Sequence, residues 1–405
     1  MEDEGGKMSR GKGYVTVPWM FIPDTVSSLI REAGEAGIEP HELLESILSG
    51  RRRGGVEEKS YEMESEESLI APVADQGNIE SISRGYRTSD IDWSAVTVKE
   101  RQSEEGPIRS QISRLTPAIV NLRILGFLCS QGEAPPLDEY TRTCGTMGMN
   151  LRKFLNSTEG QSLERGTAQK LSSGFPRTSG FRLPESAADW SQDEIQSWRM
   201  KKIEGSLQRY TSLYVGGTRV SDRKGTGVLW ENAWINIDPE PPHAVALTED
   251  GKRLARLPLP FFDEGEIGDS IIPPEVAQEL LDQIESNMVP EADNIRIIRD
   301  ALTPLGATNS ELVRHYTDHM DGLLTDSSGN FMMRAAIEKK AANVVSSTLN
   351  RLEEMGLVER ERLSREEQQL QPIRVMHTGV STDRVRYSLS EFGIKIIGGG
   401  MSEWI

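Results

Sequence analysis

Two stretches decide how the chain reads: SSTLNRLEEMGLV (346–358) and SLSEFGIKI (388–396). In the first, Leu349, Leu352 and Met355 recur at i, i+3 and i+6, which puts one apolar face on a helix. Gly356 supplies the positive φ that stops it, so that Leu357 and Val358 turn back as a strand. In the second, Ser390 is placed to cap a closing helix. Each has an earlier partner. GSLQRYTSLYV (205–215) aligns with the first at Leu207 and Leu349, Arg209 and Arg351, Tyr210 and Leu352. ALTEDGKRL (246–254) aligns with the second at Leu247 and Leu389, Thr248 and Ser390, Glu249 and Glu391, Gly251 and Gly393. Every pair is 142 residues apart. Two matches at one offset point to two copies of one supersecondary unit.

Around these stretches the chain reads as mainly α with small β-hairpins, an α+β class. The second unit spans 291–397. Helices are expected over NIRIIRDALTPLG, TNSELVRHYTDHM and FMMRAAIEKKAANVVSSTLNRLEEMG. LVERERL reads as a strand, and QPIRVMHTGVSTDRVRYSL as two strands around a turn. The first unit spans 107–262, with helices over LTPAIVNLRILGFLCSQG and SQDEIQSWRMKKIEGSLQRYTSLYV. Its residues 157–192 are rich in Ser, Gly and Pro and read as an insertion. Between the units, 263–290 carries one amphipathic helix, PPEVAQELLDQIESN, and 398–405 is a tail.

The 405 residues carry a net charge of −17 and 36% hydrophobic residues, polar for a chain of this length. Charge is uneven. From 57 to 106 there are 13 acidic against 5 basic residues. That stretch shows no apolar periodicity and is expected to be a disordered acidic linker, mapped to 54–106. Ahead of it, 1–13 reads as a basic arm. Residues 14–53 read as strand, helix, turn, helix, too small to bury a core alone. No window of 18 uncharged apolar residues suggests a membrane span, and no apolar leader opens the chain. Two cysteines make no disulfide framework. A soluble protein of the cytoplasm, associated with the nucleoid, is expected.

The helix ending LNRLEEMGLVER, followed by a hairpin and YSLSEFG, resembles the winged-helix regulators of the MarR and PadR type; the first unit resembles them in outline. The resemblance implies that the helix is a recognition helix and the hairpin a wing. On it, Asn343, Ser346, Ser347 and Asn350, with Arg351 at the edge, would face base edges and phosphates. Arg374, His377, Arg384 and Arg386, against Asp383, would form a positive wing. In the first unit, Arg219, Arg223 and Lys224 would do the same from a loop, with Arg209 on the helix before it. Residues 14–50 resemble a ribbon-helix-helix dimer, and read equally as a small helical dimerisation arm. The expected function is a sequence-specific transcriptional regulator that binds double-stranded DNA as a homodimer. A plasmid-type replication or partition initiator with tandem winged helices is one alternative, and an assembly protein that binds no DNA is another.

Catalytic patterns do not close. GKMSRGK (6–12) approximates a phosphate loop, but Gly13 stands where Ser or Thr is needed. His315 and His319 have the i, i+4 spacing of two metal ligands, with no third ligand in the pattern. No enzyme activity, metal or cofactor is expected.

Overall fold

The computed structural model describes residues 79–100, 108, 111–157, 160, 165–187, 189–217, 225–266, 270–302, 305–324, 332–370, 374–376, 379–381 and 384–398. These all belong to one compact unit. The 1–13 arm and the 14–53 strand–helix–helix segment lie outside the described residues.

The acidic segment contributes a short helix, α1 (Ile79–Ser83), and a 3-10 turn at Thr88–Asp90. The first unit follows. Pro117 starts α2 (Thr116–Ser130), which is buried almost all round. Pro136 precedes α3 (Leu137–Asn156). Next come α4 (Arg165–Ser172), α5 (Gln192–Tyr214) and the single turn α6 (Val228–Glu231). The strands β1 (Ile235–Ile237) and β2 (Val245–Leu247) pair antiparallel, and α7 (Glu249–Arg256) closes the unit. Then α8 (Pro260–Asp263) and α9 (Pro274–Asn287) lead into the second unit.

The second unit runs α10 (Val289–Ala301), β3 (Ala307–Thr308), α11 (Asn309–Met320), α12 (Arg334–Glu354) and β4 (Val358–Arg362). After α13 (Arg365–Leu370) and the small hairpin of β5 (Arg374–Met376) and β6 (Gly379–Ser381), β7 (Val385–Leu389) returns to the sheet and α14 (Glu391–Ile397) ends the unit. The sheet order is β3-β7-β4, all antiparallel. Both units are therefore mainly helical with small antiparallel sheets, one described in the first unit and two in the second. Among the described residues no helix is long and apolar enough to cross a membrane.

The repeat holds at the closing turn. Thr248 N donates to Trp234 O at 3.0 Å, and Ser390 N to Leu357 O at 3.0 Å. Thr248 Oγ1 donates to Ala233 O at 2.6 Å and accepts from Gly251 N at 3.1 Å. Ser390 Oγ donates to Gly356 O at 2.6 Å and accepts from Gly393 N at 2.8 Å. Each hydroxyl thus caps a helix and ties it back to the preceding strand's entry. A Cβ at Gly251 or Gly393 would meet a backbone oxygen at 1.9 Å in either unit, so only glycine allows this approach. The strand registers agree as well: Pro136 faces Ala244 where Thr308 faces Arg386, and Ile235 faces Leu247 where Val358 faces Leu389.

The helix half of the sequence alignment is corrected. Ala233, with φ +60°, stands where Gly356, with φ +71°, stands in the second unit. The two are 123 residues apart, not 142, because α13, β5 and β6 lengthen the second hairpin. Leu352 therefore corresponds to Leu229 in α6, and Leu207 is not the partner of Leu349. The single long helix of the second unit is broken in the first into α5 and α6, with 215–227 between them.

Two further expectations change. The acidic linker is packed over 79–100. Ile79, Ile91 and Val96 are buried, and Gly126 makes room for the Trp93 ring, which a Cβ would meet at 2.8 Å. Val98 pairs with Leu247 in parallel, and Asn236 Nδ2 donates to Glu100 O at 2.8 Å. Arg123, fully buried, donates to the Asp263 carboxylate and to the carbonyls of Ala255 and Leu257. Asp263 also accepts from Thr88 N at 3.1 Å, so one carboxylate ties the segment to the core. The 157–192 insertion is not structureless either, since it contains α4, whose Ala168 and Leu171 are buried.

Gly356→Ala is expected to destabilise the protein by about 1–3 kcal/mol, because alanine is forced into left-handed backbone and its Cβ would meet Ser270 Cβ at 2.9 Å. Thermal unfolding measures it.

Candidate nucleic-acid interface

The long helix α12 is buried on two sides over its second half. Its apolar side, Val345, Leu349 and Leu352, packs in the core of its own unit. Its polar side packs on the first unit. Arg351, at 2% exposure, donates to Ile112 O and Glu291 Oε1, both at 2.5 Å, and to Thr348 Oγ1 at 2.9 Å. Glu354 is fully buried at the start of α2, where it accepts from Leu115 N at 2.5 Å, Thr116 N at 3.1 Å and Thr116 Oγ1 at 2.5 Å. Burial pushes the Glu354 carboxyl above the usual carboxylate range, against the pull of Arg114 and these donors. Arg114 Nη1 reaches Asn350 O at 3.1 Å, and Lys170 Nζ reaches Glu353 at 2.8 Å.

Of the five α12 residues expected on one exposed face, two are therefore corrected. Ser347 is buried and its hydroxyl bonds back to Asn343 O at 2.8 Å. Arg351 is an internal ion pair with Glu291. Asn350 is half-buried. Asn343 and Ser346 are exposed. With Lys339 they stand at i, i+4 and i+7 on one stripe, and Lys340 is exposed beside them. Neither lysine was singled out by the sequence reading. Arg334, at the exposed start of α12, bonds to Asp318 of α11 and to Asp321 just after it; the hydrogen bond to Asp318 raises its pKa.

The hairpin differs from the expected pair of strands. Arg374 falls in β5, which pairs with β6, while β7 pairs with β4 and β3. Residues directly opposite share a face. Glu361 lies opposite Arg386 and Glu359 opposite Ser388, so Arg384 and Arg386 share their face with two glutamates. Arg386 Nη1 also pairs with Glu367 Oε1 at 3.2 Å, and its stem crosses Gly306, where a Cβ would meet Arg386 Cγ at 2.6 Å. The Glu367 carboxyl is held below its usual range, first by the Ser364 backbone N–H and hydroxyl and then by Arg386. This face carries mixed charge and not the expected positive surface. Arg384 is exposed. Arg360 and Arg362 are exposed on the opposite face, beside Tyr387 and Val385. Alternation of Glu and Arg in LVERERL was the signal that could have found them.

Arg219, Arg223, Lys224, His377 and Asp383 lie outside the described residues. His315 and His319 are exposed on α11. Among the described residues no group of three or more His, Cys, Asp or Glu is arranged to hold a metal ion. Compared with known proteins, the chain matches no family model, no curated protein and no solved structure.

Arg351→Met is expected to cost about 3–5 kcal/mol, because it strands the buried Glu291 carboxylate. Replacing Glu291 by Met as well should recover much of that loss. Urea unfolding of the single and double variants measures both.

Proposed function

We propose that the protein is a sequence-specific, double-stranded-DNA-binding regulator of transcription. It acts as a homodimer, and its two units are winged helices. The single observation that carries this reading is the division of α12: its second half is locked against the first unit, and its first half presents Lys339, Lys340, Asn343 and Ser346 outward. Recognition helices of this type use their N-terminal residues on base edges. Asn343 suits an adenine edge, and Lys339 and Lys340 suit phosphates or guanine. The exposed Arg360, Arg362 and Arg384 of the hairpin add phosphate contacts. The agreement of strand order and register between the two units supports a duplicated module.

A replication or partition initiator would use the same surface. One observation favours it: two units of like register stand in tandem within one chain, which suits directly repeated half-sites. Selection of bound sequences from random duplexes separates the two. A palindrome supports the regulator and direct repeats support the initiator. The absence of any enriched sequence would overturn both.

In the same assay Asn343→Ala should cost about 1–3 kcal/mol at one base pair and leave non-specific binding nearly unchanged. Lys339→Ala should weaken all sequences alike and flatten the salt slope by about one unit. Both residues are exposed, so the melting temperature should hold.

A further inference from the structure

We propose that α5 is a second duplex-contacting element, whose exposed face grips the phosphodiester backbone without reading bases; this rests on the DNA-binding reading above. The helix is held at one end. Tyr210 and Tyr214 are buried in its last turns, and their hydroxyls donate to Asn121 Oδ1 at 3.0 Å and Arg114 O at 2.9 Å. Gly145 and Gly148 of α3 let this end approach, since Cβ atoms there would meet Leu207 at 2.7 Å and Tyr210 at 3.2 Å. The other end is closed by a capping box between Ser191 and Glu194 and is otherwise exposed.

The apolar stripe of α5 is already accounted for. Trp198 is packed by Phe181 and Trp190, with ring centroids 6.4 and 6.2 Å away. Arg177 N donates to Ser206 Oγ at 2.6 Å, which holds the covering segment in place. What remains open is the face bearing Lys201, Lys202, Gly205, Gln208, Arg209 and Ser212, all exposed, with the Lys202 ammonium over the Trp198 ring at 5.4 Å and one exposed carboxylate, Glu204, at the edge. At 100° per residue, Lys201, Lys202 and Arg209 fall within about a third of the circumference. Among the described residues no carboxylate pairs with any of the three. On a chain of net charge −17, this is a locally positive strip that complements a polyanion.

Gly205 is the independent observation. Glycine is the costliest helix-interior residue after proline. Here nothing among the described residues requires it, because a Cβ would meet none of their atoms within 4 Å. A glycine at the centre of a basic face permits a backbone from outside to come close. Pairing of two α5 helices would set Lys201, Lys202 and Arg209 against their own copies, so a phosphate backbone is the fitting occupant.

The test is fluorescence anisotropy of the full chain on a mixed-sequence duplex over a salt series. Lys201→Ala/Lys202→Ala/Arg209→Ala should bind at least about tenfold more weakly and flatten the salt slope by about two to three units. Gly205→Leu should bind several-fold more weakly while its melting temperature holds or rises, which a merely structural glycine would not show. If both α5 variants bind as the parent does while Lys339→Ala weakens binding, the inference fails and the DNA-binding reading stands. If the parent binds no duplex at any salt, both fail. A change in oligomeric state by light scattering, with DNA affinity unchanged, would assign the face to self-pairing and overturn the inference.

Discussion

The buried end of α12 fixes the rest of the arrangement. Two charges, Arg351 and Glu354, sit in the interior, where an isolated ion is prohibitively costly. They are tolerated because each is satisfied: the guanidinium by a carboxylate, a carbonyl and a hydroxyl, and the carboxylate by two backbone N–H groups and a hydroxyl. Such a network adds little net stability over an apolar contact of the same shape, but tolerates few alternative alignments. It sets the angular position of α12 on the first unit. That position in turn decides which side chains of the helix face solvent.

The closing turns were legible in the sequence because their chemistry admits few substitutes. A capping hydroxyl and a glycine pressed on a carbonyl must recur wherever the turn recurs, so Thr248 and Gly251 announce Ser390 and Gly393. The matching helix was misplaced because hydrophobic spacing survives a shift in alignment, whereas the left-handed residue does not. Ala233 holds that conformation without being glycine, and so left no mark. Asn343 and Ser346 were placed correctly by the apolar stripe alone. Ser347 and Arg351 were not, because a polar face buried through ion pairs has no period to betray it. The acidic segment misled for a related reason. Ile79, Ile91, Trp93 and Val96 are anchors spaced too irregularly to form a pattern, and Asp263, which holds Thr88, lies far along the chain.

Charge is distributed by the same geometry. Cross-strand pairing brings Glu359 and Glu361 onto the face of Arg384 and Arg386, which a count along the strand alone conceals. Among the described residues, basic surfaces remain on the open half of α12, on α5, and on the β4 face that bears Arg360 and Arg362. Neither is conspicuous in a chain whose acids outnumber its bases by 17.

The contact between the units joins unlike parts, the end of α12 in one to the start of α2 in the other. Modules that meet this way form open rows, each new member offering the next the same free end. Counting 123 residues back takes Arg351 to Val228 and Glu354 to Glu231, so the matching turn α6 keeps the carboxylate and lacks the guanidinium. Counting 172 forward from Thr116 gives Met288, so the second unit's opening has no hydroxyl to receive a carboxylate. The two units are thus unequal at this joint: the first lacks the guanidinium of the second, and the second lacks the hydroxyl of the first. The two members of the tandem are therefore not interchangeable at this contact.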